Sequence, residues 1–334
     1  MGGYSPSSRD IDSYYRERDY YGARSYYDSG RREVVTSTRR VSSAEQIFKE
    51  DKMRDEFNPS KIKLPREALD SSMSPHSRAM IFANDVTGSM GRYLLSLIQI
   101  QFPALFKRIL SSYSFNPHIM FMGIGDVAAG DEAPLQVTQF ESDLRMLEQL
   151  EKIWLEKRGG GNSFESYILA WYFAAKYCKI DCFDKRGEKG FLFTFGDEEP
   201  TPSLTPSQLK TVFGERSDLD TRTVSATDCL ELASKKFYPY HIILRGSNYH
   251  YCDMNRWYEL LDGHACDLED FNCLPDLVCS ILDMYEGNSK TEVIRKIKDP
   301  HTRYVVKNAL LRHEEYVEDA KVGGDEQDSD IEIF

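Results

Sequence analysis

The chain lacks the cysteine pattern of a stapled or metal-ribbon scaffold. Its seven cysteines, at positions 178, 182, 229, 252, 266, 273 and 279, include no Cys-x-x-Cys pair. An odd set without pairing or ligand spacing fits a reduced compartment better than a disulfide framework. No apolar run approaches the ~20 residues that a membrane span needs. The opening MGGYSPSSRD has no apolar segment of the kind that directs secretion. A cytoplasmic protein without a membrane partner is the expectation. Positive charge is also short, with 42 Lys and Arg against 54 Asp and Glu and a net charge of −12. A nucleic-acid-binding body is not expected on that ground, because phosphate recognition rests on an excess of base. No Gly-Lys-Ser or Gly-Lys-Thr marks a P-loop, and no G-x-S-x-G nucleophile elbow occurs.

What is present begins with enough apolar material for a core: 41% hydrophobic residues and 12% aromatics. Residues 1–45 are rich in Tyr, Arg, Ser and Asp and show no helical or alternating apolar period, so they read as a disordered arm. Its interleaved Tyr and Arg suit weak multivalent contacts; an inert solvated tail is the equal alternative. Residues 46–77 read as a short helix and a Pro-punctuated connector, the helical segment SAEQIFKEDKMRDEF beginning near Ser43. From 78 to 287 strand and helix alternate. RAMIFAND, HIMFMGIGD, GFLFTFG and YPYHIILRGS are buried strands, and LQVTQF is a short edge strand. Helical spacing links Leu94, Leu97, Ile98, Phe102, Leu105, Phe106 and Ile109, with a kink expected at Pro103. DLRMLEQLEKIW, ESYILAWYFAAKYC and DLVCSILDMYEG are further helices. The pattern predicts an α/β fold, a doubly wound and mostly parallel sheet with one short antiparallel edge strand. A helical extension over 288–317 and an acidic tail over 318–334 follow.

Three loops carry the polar chemistry. In Ile81–Met90, IFANDVTGSM, a strand runs into Asp85, and Thr87 and Ser89 follow at alternate positions. Asp126 and Asp197 also fall at strand ends, where ligands of open α/β sheets collect. The run RGGGNSFES sets Asn162, Ser163 and Glu165 after Gly159, Gly160 and Gly161, where a helix start is expected, capped by Ser163. Hydroxyls and carboxylates from such loops suit a hard divalent cation, Mg²⁺ or Mn²⁺.

Asp85-Val86-Thr87-Gly88-Ser89, then GGGN, then FGDE resemble the von Willebrand factor type A domain with its metal ion-dependent adhesion site, in the variant of intracellular, bacterial, phage and alpha-kinase-associated A domains. The likeness spans roughly residues 78–287. It implies that Thr87 and Ser89 ligate the ion directly, that Asp85 and Asp197 act directly or through water, and that Asn162 supplies a further oxygen. Asn162 stands where the family has Thr, and Ser163 is the alternative donor. Asp126, Ser163 and Glu165 would stand behind the ligands, Asp126 holding a water or capping a turn.

The resemblance implies protein recognition: a vacant position on Mg²⁺ completed by an acidic side chain of a partner, within an intracellular multi-protein assembly, beside an AAA-type ATPase in some relatives. Two rival readings stand beside it. A metal-assisted phosphohydrolase would need a base from Asp126, Glu165, Glu198 or Glu199, and a haloacid dehalogenase-like enzyme would need Asp where Thr87 stands. A self-assembling scaffold would work through the arm alone. GIGDVA, Gly123 to Ala128, fits a loose dinucleotide pattern but runs into GDEAP instead of a helix. The pairs His250-x-Cys252 and His264-x-Cys266 lack zinc spacing.

Overall fold

Residues 6–18, 25–27, 33–35, 43–156, 163–246 and 249–313 are described by a computed structural model, without the side chains of 25–27, 33–35, 45, 89, 91 and 92. Six strands form one sheet: β1 Ser77–Asp85, β2 Asn116–Ile124, β3 Leu135–Val137, β4 Gly190–Gly196, β5 Phe237–Leu244 and β6 Ala265–Leu268. Their spatial order is β6-β5-β4-β1-β2-β3, parallel throughout except for the antiparallel β2–β3 pair at one edge. The chain winds outward from β1 to β3, returns to β4 beside β1, and winds the other way. Strand order therefore reverses between β1 and β4, which is where a doubly wound sheet opens a crevice at its carboxyl edge.

The principal helices are, in chain order, α1 Ser8–Glu17, α2 Gly91–Ser96, α3 Phe102–Ser112, α4 Arg145–Leu150, α5 Ile168–Tyr177, α6 Ala226–Ser234, α7 Asn255–Leu261, α8 Leu274–Tyr285, α9 Lys290–Lys296 and α10 Pro300–Ala309. Alternation along the strands supplies two cores. Met80, Phe82, Phe121, Phe193 and Tyr240 pack with α2, α3 and α8 on one face, and Ile81, Ala83, Met120, Leu192 and Ile243 with α5, α6 and α7 on the other. Phe82 lies at the centre of the first, 5.4 Å from Phe102 and 5.6 Å from Phe193 between ring centroids. No helix among the described residues is long and apolar enough to cross a membrane.

Several local expectations are corrected. Ser8–Glu17, expected within a disordered arm, is a helix: Ser7 and Asp10 form a capping box, and Ile11, Tyr14 and Tyr15 are buried against the first core. Tyr14 bonds Glu151 and Lys107 pairs with Asp12, which fastens α1 beside α3 and α4. The helix expected from residue 43 shrinks to a 3-10 turn at Ala44–Gln46 and another at Asp55–Phe57. Ala44, Ile47 and Phe48 are buried, but the residues between Phe48 and Phe57 offer no further apolar turn. The helix expected through Trp154 stops at Leu150. Gln136 takes both backbone groups of Trp154, accepting from its N–H at 2.9 Å and donating to its carbonyl at 2.8 Å. At Pro103 the kink takes the form of a π-turn, Leu97–Gln101, immediately before α3. β6 was not anticipated. The acidic tail from residue 318 lies outside the described residues.

Candidate metal site at the carboxyl edge

β1 and β4 deliver Asp85 and Asp197 to the two sides of the crevice, both with no solvent exposure. Asp85 is the last residue of β1, so its side chain meets the loop that follows. Its Oδ1 accepts from the Thr87 N–H at 2.8 Å and from the Thr87 hydroxyl at 2.6 Å. Thr87 Oγ1 spends its one proton on Asp85, and its lone pairs are acceptors that a cation can use. Ser89 sits in the 3-10 turn Gly88–Met90 that leads into α2, with its side chain outside the described residues. On the other carboxylate oxygen of Asp85, Tyr167 donates at 3.3 Å.

Two glycines make room for this packing. A Cβ on Gly196 would lie 1.8 Å from the Tyr167 hydroxyl, and one on Gly246 would lie 2.1 Å from Asp197 Oδ2. Gly246 follows β5, so the third parallel strand closes the site from the side opposite β1. The same Cβ would lie 2.6 Å from Asp197 Cγ and 2.9 Å from its Cβ, so turning the carboxylate alone does not clear it. Gly246→Ala is therefore expected to displace Asp197 and to cost about 1–3 kcal/mol, read from unfolding midpoints.

The loop after the glycine run is arranged differently from expectation. Gly159, Gly160, Gly161 and Asn162 lie outside the described residues. Ser163 caps no helix: Phe164–Glu165 is extended and pairs in parallel with Glu199–Pro200, and α5 opens only at Ile168. The Ser163 carbonyl accepts from the Glu199 N–H at 3.1 Å, and the Glu165 carbonyl accepts from Thr201. This strand pairing, invisible in either segment alone, draws the third loop against the end of β4. It also turns Glu165 inward, 2% exposed, with Oε2 lacking a hydrogen-bond partner among the described residues. Asp126 has a local use: it accepts from the Ala128 N–H at 2.8 Å, the Ala129 N–H at 3.1 Å and the Ser166 hydroxyl at 3.0 Å, capping the turn after β2.

The electrostatics are those of crowded acids. Burial, with the Asp197 charge added, pushes Asp85 up to about 7 against the pull of the Thr87 and Tyr167 donors. Burial and then the charges of Asp85, Glu198, Asp126 and Asp131 hold Glu165 far above the usual carboxylate range. Glu199, by contrast, pairs with Arg256 at 2.8 Å and accepts from the Asp253 N–H. No three site acids bring one oxygen each within 4.8 Å of one another; the one described group that does is Asp270, Cys273 and His301, elsewhere in the fold. An all-carboxylate cage is thus not what the site offers. The described oxygens there are the Thr87 hydroxyl and the buried carboxylates of Asp85, Asp197 and Glu165, hard donors of the kind a divalent cation uses. The Glu165 oxygen that has no partner among the described residues fits a positive group at the crevice.

The weighed zinc pairs do not assemble. Cys266 is buried in the core, His264 stacks on Tyr240 at 4.2 Å, and the Cys252 thiol faces the Ser163 carbonyl. Sequence reasoning passed over Tyr167 and Gly246 altogether; Tyr167 reads as one more apolar residue in ESYILAWYF, and only its contact with Asp85 gives it a role.

No protein-family model matches the chain, and no curated protein matches it. Solved structures do. The pilus adhesin SpaC from Lactobacillus rhamnosus GG, in its open conformation, aligns with 72% of this chain and 31% of its own, at 7% identity and a TM-score of 0.41. A second form of the same adhesin gives 72%, 32%, 9% and 0.42. The chain spans about a third of the length of these adhesins. At that level of similarity nothing about this chain's chemistry follows.

Proposed function

We propose that this chain is an A-domain-like, metal-dependent protein-recognition module. Thr87 and Ser89 would hold Mg²⁺ or Mn²⁺ directly, with Asp85, Asp197 and Asn162 completing its surroundings directly or through water. The observation that carries the reading is the placement of Asp85, Thr87 and Asp197 at the point where strand order reverses, beside a buried Glu165 oxygen with no hydrogen-bond partner among the described residues. A cation held mainly by neutral hydroxyls stays electrophilic and attracts the carboxylate of an acidic partner side chain. Tyr167 and Thr87 fix the Asp85 carboxylate, while Gly196 and Gly246 let the neighbouring strands approach. Cellular placement and membership of a larger assembly belong to the same proposal.

The test is Asp85→Ala, followed by heat and by titration. Mg²⁺ at 100-fold over its dissociation constant should stabilise the parent by about 2.7 kcal/mol, visible as a rise in Tm. The variant should show weakening of the ion by about 10- to 100-fold and no rise at the same concentration. Capture of an acidic partner should require the ion in the parent and vanish in the variant. A parent whose Tm ignores both Mg²⁺ and chelator would sink the proposal.

A further inference from the structure

A second surface stands apart from the crevice. α9 and α10 diverge around a cavity of 580 Å³ lined by Lys290, Ile294, Arg295, Arg303, Lys307 and Leu311. Its floor is aliphatic, and Leu311 is 72% exposed. Its rim carries four cations, none of which makes an ion pair with a carboxylate among the described residues. Lys290 donates instead to the His313 carbonyl and Arg303 to the Ile297 carbonyl. Four bases without an ion pair among the described residues, around an apolar floor, are unusual on a chain of net charge −12. They ask for an occupant that is acidic and aliphatic at once.

We propose that this groove binds the chain's own acidic segment, residues 325–334, DEQDSDIEIF. That segment lies outside the described residues, and its sequence has the required chemistry. Glu326, Asp328, Asp330 and Glu332 occur at alternate positions, with Ile331 between the last two and Ile333 and Phe334 after them. In an extended peptide, alternate side chains point to opposite faces. One face would then meet Lys290, Arg295, Arg303 and Lys307, and the other would meet Ile294 and Leu311. The described chain ends at His313, whose carbonyl is held by Lys290, so the chain leaves from the groove's rim. Residues 314–324 can span about 35 Å when extended, and Gly323-Gly324 permits a reversal. A connection this short keeps the segment at millimolar effective concentration. Exposed ion pairs alone hold little, so docking needs the aliphatic residues as well.

Hydrogen exchange on the full chain tests this. Amides of 325–334 are expected to exchange at least tenfold more slowly than in the charge-reversal variant R295E/K307E, and faster as salt rises. Amides of α9 and α10 should exchange alike in both, which shows that the variant folds. Ile331→Ser with Ile333→Ser, which leaves the body untouched, should abolish the protection too. Exchange of 325–334 at the rate of a free peptide in the parent would overturn the proposal. Protection that survives charge reversal would do the same, as would protection that grows with protein concentration, since the occupant would then be a second copy.

Discussion

Gly196→Ala is expected to destabilise the chain by about 3 kcal/mol, although glycine here adopts ordinary strand geometry and the substitution adds one carbon. The added Cβ would lie 1.8 Å from the Tyr167 hydroxyl, 2.4 Å from Cζ and 2.6 Å from Cε1. Neither side can retreat. Gly196 is paired with Ile243 across β4 and β5, so the strand is pinned by its ladder. Tyr167 is fully buried, edge-on to His241 at 4.9 Å and to Trp257 at 5.3 Å, with its hydroxyl on Asp85. Relief requires the ring to leave a slot that two other rings shape. Tyr167→Phe in the same chain should recover only part of the loss, because the clash with Cζ remains. Urea unfolding of the two variants measures both quantities; a Gly196→Ala midpoint equivalent to less than about 1 kcal/mol of destabilisation would mean that Tyr167 is not fixed as described.

That slot illustrates what the sequence can and cannot convey. RAMIFAND and GFLFTFG are legible as buried strands because nothing but an interior accepts such runs, and their terminal aspartates mark an edge. Parallel strands joined by helices bring their carboxyl ends to one edge, so Asp85 and Asp197 could be expected on one rim; the reversal of order between β1 and β4 is visible only in the strand pairing. The neighbours of that rim could not. Tyr167 approaches Gly196, and Gly246 approaches Asp197, across pairs separated by dozens of residues, and neither contact leaves a periodic trace. β6, with only Ala265–Leu268, is too short to show alternation. α1 was legible in principle: Ser7 and Asp10 have capping-box spacing, and Ile11, Tyr14 and Tyr15 follow a helical stripe. The surrounding Tyr and Arg repeats hid a short amphipathic signal within a biased composition.

Acid is expected to weaken this fold through its buried histidines, with His118 as the clearest case. His118 is 5% exposed on β2, its Nε2 is 2.8 Å from the Ser74 hydroxyl, and burial pushes it down to about 4. The folded chain therefore keeps His118 neutral between pH 6.5 and 4, where the unfolded chain protonates it. Stability from this residue is full above about pH 6.5, falls as pH drops toward 4, and levels off once the native imidazole also protonates. A shift of that size corresponds to about 3 kcal/mol between pH 7 and pH 4. His264, also pushed down to about 4 by burial, adds in the same direction. So does His241, stacked on Trp257 at 3.5 Å with Nδ1 against Thr194 and held well below its ordinary value by burial. Asp85, Glu165 and Asp131, whose carboxyls burial raises, titrate with the opposite sign and favour folding as pH falls. The total profile mixes both sets, so the histidine contribution is read as a difference. His118→Gln, which keeps a partner for Ser74, is expected to be less stable than the parent at pH 7 and to gain on it by about 3 kcal/mol by pH 4. Parallel denaturation midpoints for the two chains across that range would show that His118 takes up its proton as readily folded as unfolded, and that the pocket around Ser74 is open to water.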